Sequence, residues 1–471
     1  MANEKKQDVS RRDFIRGAAK AAGVTVGTAA TIKQAQAQGH TYKSILPQTI
    51  MGANEKIRTG HIGVGGMGRR NLGEFVLGMH EELNLEPIAI CDLAPPQADR
   101  AAGMVESVIG KKPTTHTYLE EVIANKDVDA VVICTPDHWH TIPTLMASDA
   151  GKDIYTEKPL CTTIIEGITL VDTIKKNNTV FQAGTMQRSG EQFQEAVEVV
   201  RSGYLGKIAR VETWSHDGEP VEGIGSPPDQ DAPPWLDWER YIGWTTPVPF
   251  NKNRYIYNFR WFLDYSGGKV TDWGAHLIDI ALWAMGEDKK PKTIASQGGK
   301  YILTDNRTTP DTLEVVWEYD DYILSFSNKV YSNTKPYPHD RDDTYGIAFH
   351  GTLGTLLLTR NGYTIVPMNR GCEAKERPGA PMNQPHWKNW AHCIRTREKT
   401  ICDIETIFNT TLTCHLGTIA YRTGHKLEWD AENLKFTGPS EEIAKAANDF
   451  AYMEYQNGFS LKAPYYDKWK V

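Results

Sequence analysis

No Cys-x-x-Cys pair occurs in this sequence. Its seven cysteines (Cys91, Cys134, Cys161, Cys372, Cys393, Cys402 and Cys414) are odd in number and scattered, which argues against both a zinc module and a disulfide scaffold. Cys91 and Cys134 lie at the ends of apolar runs and read as small core residues. There is no excess of positive charge: the formal net charge is −7 and the pI about 6.1. No nucleic acid or anionic membrane is therefore expected as a partner. Internal repeats are missing. What is left is an ordinary globular composition, 24% charged and 40% hydrophobic. At 471 residues the chain is long enough for two or three domains. Its 13 tryptophans and 20 tyrosines exceed the needs of a minimal core, and aromatic faces suit sugar rings.

Residues 1–39 read as an address. Ser10-Arg11-Arg12-Asp13-Phe14 precedes a small apolar stretch from Gly17 to Ile32 and then Ala35-Gln36-Ala37. A charged region, a modest apolar region and a small-residue cleavage site make a secretory signal, and paired arginines followed by Phe14 resemble a twin-arginine signal. The apolar stretch is too short, and too rich in Gly, Ala and Thr, to span a bilayer. Cleavage near Ala37, a periplasmic location and no membrane insertion are expected.

The chain is organised around Lys56–Gly68, KIRTGHIGVGGMG, and the acid it leads to, Asp92. An apolar run enters Gly63-x-Gly65-x-x-Gly68, a helix-like segment follows from Arg69 to Met79, and a second apolar run ends at Asp92. In a dinucleotide-binding unit Gly63 permits the tight turn, Gly65 lets backbone approach the pyrophosphate, and Gly68 lets helix pack on strand. Asp92 would accept from the ribose diol and so favour NAD over NADP.

From Lys56 onward strands alternate with amphipathic helices, which predicts an α/β fold. Strands are expected at 59–64, 86–92, 130–135, 153–157 and 180–184, and helices at 118–125, 142–150 and 164–176. That pattern predicts a doubly wound parallel sheet, a Rossmann domain over 56–187, with its crevice at the carboxyl ends of the strands. Residues 40–55 read as a polar linker. After Arg188 the texture changes to antiparallel-like strands (312–318, 322–329, 345–350, 355–359) and two late helices (387–397, 405–422). This predicts a second α+β domain over 188–439 with an open, largely antiparallel sheet. The tail, 440–471, is aromatic-rich and could wrap this or another subunit.

Three clusters fall where the crevice is expected: Cys134–His140, Thr156–Leu160, and Gly267–Asp279. Lys158, at the carboxyl end of a parallel strand beside rigid Pro159, could shuttle the proton of a sugar hydroxyl during hydride transfer. Asp272 and His276, spaced i, i+4, share a helix face, so Asp272 could fix the tautomer of His276. That pair, or His138-x-His140, could also ligate a metal. No third ligand stands out, so no metal is expected, and the loop His138-Trp139-His140 is assigned to nicotinamide and substrate contacts.

Together GVGGMG (Gly63, Gly65, Gly66, Met67 and Gly68 within it), Thr135-Pro136-x-x-x-His140, Glu157-Lys158-Pro159 and the GG…Asp272-x-x-x-His276 run resemble the Gfo/Idh/MocA oxidoreductases, over about Lys56 to Asp430. The resemblance implies a Rossmann domain, an α/β domain whose open sheet often makes a homodimer or homotetramer, and Lys158, Asp272 and His276 as the catalytic trio. It implies that Glu157, Thr135 and Pro136 lie along NAD. Gln187, Arg188, Arg260 and Trp261 look like subgroup features and are assigned, with Trp139 and Asp272, to the substrate. The leading expectation is an NAD-dependent oxidoreductase acting on a secondary hydroxyl, plausibly C3, of a sugar, glycoside or cyclitol. The alternative is a redox-assisted glycosidase working by oxidation, elimination, hydration and reduction, like the family's α-N-acetylgalactosaminidases. That subgroup lacks the EKP lysine kept here as Lys158. Twin-arginine export carries folded proteins, so an exported member must hold its NAD tightly and restore it within the same site.

Overall fold

The computed structural model describes residues 55–337, 343–368 and 371–466. The signal at 1–39, nearly all of the expected linker, and Trp469 of the tail lie outside them.

Six parallel strands form the first sheet: β1 (Ile57–Ile62), β2 (Leu85–Cys91), β3 (Thr114–His116), β4 (Ala130–Ile133), β5 (Asp153–Thr156) and β6 (Phe181–Ala183). Their order is β3-β2-β1-β4-β5-β6. The order reverses between β1 and β4, which places a crevice at the carboxyl ends of those two strands. Central β4 (AVVI) is buried throughout, as a strand covered on both faces must be. Five strands stand where expected. Edge strand β3, three residues and mostly exposed, is too short to show a period.

Local signals explain the helix ends. Thr163 and Glu166 form a reciprocal capping box at the start of Ile164–Asn177, and Asn178 closes it in the left-handed region. Pro95 opens Pro95–Ile109 and Gly110 ends it at φ +77°. The segment expected as one helix from Arg69 begins as Gly66–Arg70, widens into a π-helix over Asn71–Val76, and ends as a 3₁₀ turn at Leu77–Met79.

The second domain is a ten-stranded mixed sheet. Its strands are β7 (Ile208–His216), β8 (Thr293–Gly299), β9 (Thr312–Glu318), β10 (Ile323–Lys329), β11 (Tyr345–Gly351), β12 (Gly354–Thr359), β13 (Gly362–Pro367), β14 (Lys375–Pro378), β15 (Leu427–Asp430) and β16 (Lys435–Gly438). All its pairings are antiparallel except β7 with β10. Alternation is clean on β9, where Leu313, Val315 and Trp317 face the core and Glu314, Val316 and Glu318 face outward. Helices Gly274–Met285 and Ile404–Thr423 cover the inner face. Among the described residues no helix is long and apolar enough to cross a membrane.

Two later segments return to the first domain. Helix Asn383–Thr396 buries Trp387 and Trp390 against it: Trp387 stacks on Tyr155 at 4.2 Å, and Trp390 donates to the Ile154 carbonyl at 3.1 Å. The tail wraps its own chain, with Tyr455 stacked on Trp244 at 4.4 Å and Phe459 edge-on to Trp139 at 5.6 Å.

Burial holds five histidines far below the ordinary imidazole value: His61 at about 3, His138, His386 and His415 at about 4, and His276 well below 6.5. Between those values and roughly 6.5, the unfolded chain takes up protons that the folded one refuses. Stability is thus fully present above pH ~6.5 and falls as the pH drops towards 4, by up to about 1.4 kcal/mol per pH unit for each histidine. Thermal melts from pH 7 to 4.5 should show a steep decline setting in below pH ~6.5. A flat profile to pH 4.5 would contradict burial of these rings in the neutral form.

Candidate active site

At the crevice lies a cavity of about 390 Å³ that extends from the glycine turn to Lys158, within the size range of small-molecule sites. Gly63 sits at φ +80°, where a Cβ would lie 2.7 Å from the Cys134 carbonyl. A Cβ on Gly68 would meet the Gly63 oxygen at 2.0 Å, so only glycine allows the helix this close to the turn. Gly65 and Gly66 have nothing within 4 Å of a Cβ position. Their bare backbone faces the cavity beside Met67, which leaves room for a diphosphate to approach.

Asp92 closes one end. Its Oδ2 accepts from the Val64 N–H and its Oδ1 from the Ala94 N–H, both at 2.9 Å. Burial pushes this carboxyl up, and the two N–H donors and Arg69 only partly offset the shift. Each oxygen keeps a lone pair for a ribose hydroxyl. Asp92→Ala should weaken NAD about tenfold and let NADP bind to a comparable degree, as read by titration of both nucleotides; continued rejection of NADP would remove Asp92 as the discriminating residue.

At the other end Thr135, Pro136, Asp137, Trp139, His140, Glu157, Lys158 and Arg260 line the wall. Lys158, just past β5, donates to Asp272 Oδ1 at 2.6 Å and to the Asp272 carbonyl at 3.1 Å. Asp272 belongs to the second domain, so this ion pair joins the two. Burial alone would raise the Asp272 carboxyl, but Lys158, Arg260 and Lys269 hold it well below the usual carboxylate range. Asp137 is pushed up by burial, which Lys158, His140 and Arg260 only partly offset, and it accepts from the Ser266 hydroxyl at 2.5 Å. Glu157 is likewise pushed up by burial and accepts from the Asn71 amide at 2.8 Å.

The structure reassigns several residues. Asp272 was expected to orient His276, but its carboxylate pairs with Lys158. The His276 ring is buried, held far down by burial and by the charges of Arg360 and Lys158, and its Nδ1 has no hydrogen-bond partner. His138 does not line the cavity: it packs against Tyr265 at 4.8 Å and contacts the Tyr241 carbonyl at 2.8 Å. The reason is the 3₁₀ turn Asp137–Trp139, in which positions i and i+3 share a face. Asp137 and His140 therefore look into the cavity together while His138 points elsewhere. His140 bridges two loops, with its nitrogens 2.6 Å from the Pro159 carbonyl and 2.9 Å from the Thr135 carbonyl.

Arg188, assigned to substrate, is 3% exposed and grips Asp279 through two 2.8 Å bonds and Glu287 through one of 2.7 Å. Trp261 is buried beneath Lys269 and Arg307. Gln187 donates to the His276 carbonyl at 3.2 Å and accepts from Arg360 at 3.1 Å. Asn71 and Arg360 escaped the sequence reading. Asn71 is placed by the π-helix and Arg360 by the β12–β13 turn, and neither carries a local motif.

Residues 57–185 match a family model described as an oxidoreductase family, NAD-binding Rossmann fold (Gfo/Idh/MocA), and residues 193–328 match that family's C-terminal alpha/beta domain. The chain is 24% identical over 329 residues to scyllo-inositol 2-dehydrogenase (NAD(+)) of Bacillus subtilis (strain 168), covering 68% of this chain and 82% of that protein. It is 30% identical over 212 residues to glycosyl hydrolase family 109 protein 1 of Shewanella sp. (strain MR-4), covering 43% of this chain and 44% of that one. The match thus spans under half of that hydrolase. Among solved structures, levoglucosan dehydrogenase in complex with NADH and levoglucosan shares the fold at a TM-score of 0.59 and 16% identity, covering 79% of this chain and 99% of that chain. The WlbA dehydrogenase from Bordetella pertussis in complex with NADH and UDP-GlcNAcA does so at 0.58 and 19%, covering 80% and 99%.

Proposed function

The chain belongs to the Gfo/Idh/MocA oxidoreductase family, and from that premise we propose that it oxidises or reduces a secondary hydroxyl of a sugar, glycoside or cyclitol, with NAD kept in the site. The observation that carries this reading is the Lys158–Asp272 ion pair at the reaction end of a cavity whose other end is the glycine turn and Asp92. Bound NAD would supply a hydride acceptor. The bare backbone of Gly65 and Gly66 would hold its diphosphate, Asp92 its ribose diol, and Thr135, Pro136 and Glu157 would lie along its nicotinamide half.

The rest of the chemistry is proton handling. A hydroxyl losing hydride must also lose its proton, and Lys158 Nζ is the group placed to take it or give it back. Asp272, kept ionised, fixes the ammonium in position and stabilises its charge. Neutral His276, four residues beyond Asp272, has an unpartnered Nδ1 but does not line the cavity, so it can serve only as a second proton carrier behind Lys158.

A second reading, the redox-assisted glycosidase, is favoured by the match to the family 109 hydrolase. Both readings share the first oxidation. A ketone acidifies the neighbouring C–H, and elimination of an aglycone would follow only in the second. The paired Arg11-Arg12 and Ala35–Ala37 support export of the folded chain through the twin-arginine machinery to the periplasm, with cleavage near Ala37. Outward-facing Val316 and Ile323 on the open sheet support a homodimer or homotetramer.

The test is to denature the purified mature protein without added nucleotide and identify what it releases. Stoichiometric NAD or NADH is expected. Glycosides incubated without further nucleotide should then yield a ketosugar, or a free aglycone under the second reading. An empty protein that turns over added NAD would remove the retained-cofactor part of the proposal.

A further inference from the structure

The cavity has an outer wall that the nucleotide-binding domain does not supply. Tyr241, Tyr255, Ile256, Tyr257, Phe259 and Arg260 line it, and all come from the connection between β7 and helix Gly274–Met285. Within Tyr255–Arg260 every residue except Asn258 lines the cavity. Tyr255 lines the same cavity as Asp92, and burial followed by the charge of Asp92 raises its phenol. Arg260 Nε lies 3.7 Å from Asp272 Oδ1, which places it at the reaction end.

Both ends of the stretch are anchored. Arg254 pairs with Asp264 at 2.7 Å and lies over the Phe262 ring at 4.6 Å, while Phe259 is buried. Tyr255 packs edge-on to Tyr241 at 5.2 Å. Between the anchors the backbone is strained. Ile256 sits at φ +54°, a region in which a β-branched residue is an outlier. Its side chain is 42% exposed and that of Tyr257 65% exposed. Arg260 covers one face of the Tyr257 ring at 4.2 Å. A strained backbone that presents two apolar side chains at the rim of a ligand cavity is expected where a ligand completes the packing.

We infer that Tyr255, Ile256 and Tyr257 are dinucleotide-contact residues: a strap from the second domain that lies along the outside of bound NAD and must lift before the cofactor leaves. The inference rests on the NAD-dependent reading above and deepens it, because it supplies the means by which the cofactor stays in place. Retention is a matter of dissociation rate, and contacts that close behind a ligand act mainly on that rate.

The experiment loads the full chain with NADH and chases it with excess NAD, following loss of NADH fluorescence for wild type, Tyr255→Ala, Ile256→Gly and Tyr257→Ala. Melting temperatures are taken with and without nucleotide. Tyr255→Ala and Ile256→Gly should release NADH at least tenfold faster, and Tyr257→Ala several-fold faster. The melting temperature without nucleotide should hold in Ile256→Gly, which relieves the backbone. It should hold also in Tyr257→Ala, which changes an exposed ring, so these two keep the test valid if Tyr255→Ala misfolds. Release within twofold of wild type in all folded variants would overturn the strap and leave the NAD reading standing. A wild-type chain that neither releases nucleotide on denaturation nor takes up added NADH would overturn both.

Discussion

Lys158→Ala should lower turnover roughly a thousandfold, the usual weight of a positioned proton-transfer group, or about 4 kcal/mol in the barrier. NAD should still bind, because the glycine turn and Asp92 stand at the other end of the cavity. The fold should survive, because Asp272 keeps Arg260 and Lys269 as charged neighbours. Lys158→Arg should not rescue the rate. A guanidinium keeps the charge and the ion pair but cannot give up its proton. The decisive measurement is a single turnover on nucleotide-loaded protein, read as appearance of NADH absorbance alongside a nucleotide titration. An alanine variant that keeps more than a tenth of the wild-type rate would remove Lys158 from the chemistry.

The second large effect is on stability. Arg188→Ala should cost about 3–5 kcal/mol, the range for orphaning a buried charge. It leaves Asp279, fully buried, with only the Thr410 hydroxyl as a hydrogen-bond donor among the described residues. A loss of that size lowers the melting temperature by roughly 10 °C in a chain with domains of this size. The substrate KM should be unchanged in the folded fraction, because Arg188 does not line the cavity. The double variant Arg188→Met/Asp279→Leu should recover much of the loss, since it removes both fully buried charges together and leaves only the half-exposed Glu287 and the Thr410 hydroxyl without this partner. A raised KM with an unchanged melting temperature would return Arg188 to the substrate role first given to it.

That reassignment illustrates how legible the protein was. Gly63, Gly65 and Gly68 could be read because their requirement is local: a positive φ, a bare backbone, a helix pressed on a turn. Lys158 was legible because strand ends in such sheets face a crevice, whichever partner the lysine finds there. Asn71 was not, because a π-helix inside an expected helix shifts the side-chain facing without leaving a mark in the hydrophobic period. His138 was misplaced for a related reason, since a 3₁₀ turn aims neighbouring residues in different directions.

The sequence by itself determined the alternation of strands and helices, the glycine turn, the acid at the end of β2 and the residue types at the reaction end. These follow from short-range rules of backbone sterics and periodicity, which a few neighbouring residues satisfy or fail. Only the tertiary structure decided that Asp272 belongs to Lys158, that Arg188 is a buried clamp, that Trp387 and Trp390 return to cover the first sheet, and that Tyr255–Arg260 walls the cavity. Each of these joins residues far apart in the chain. Their pairing is settled by which charges and rings are driven out of water together, and spacing along the sequence does not encode that.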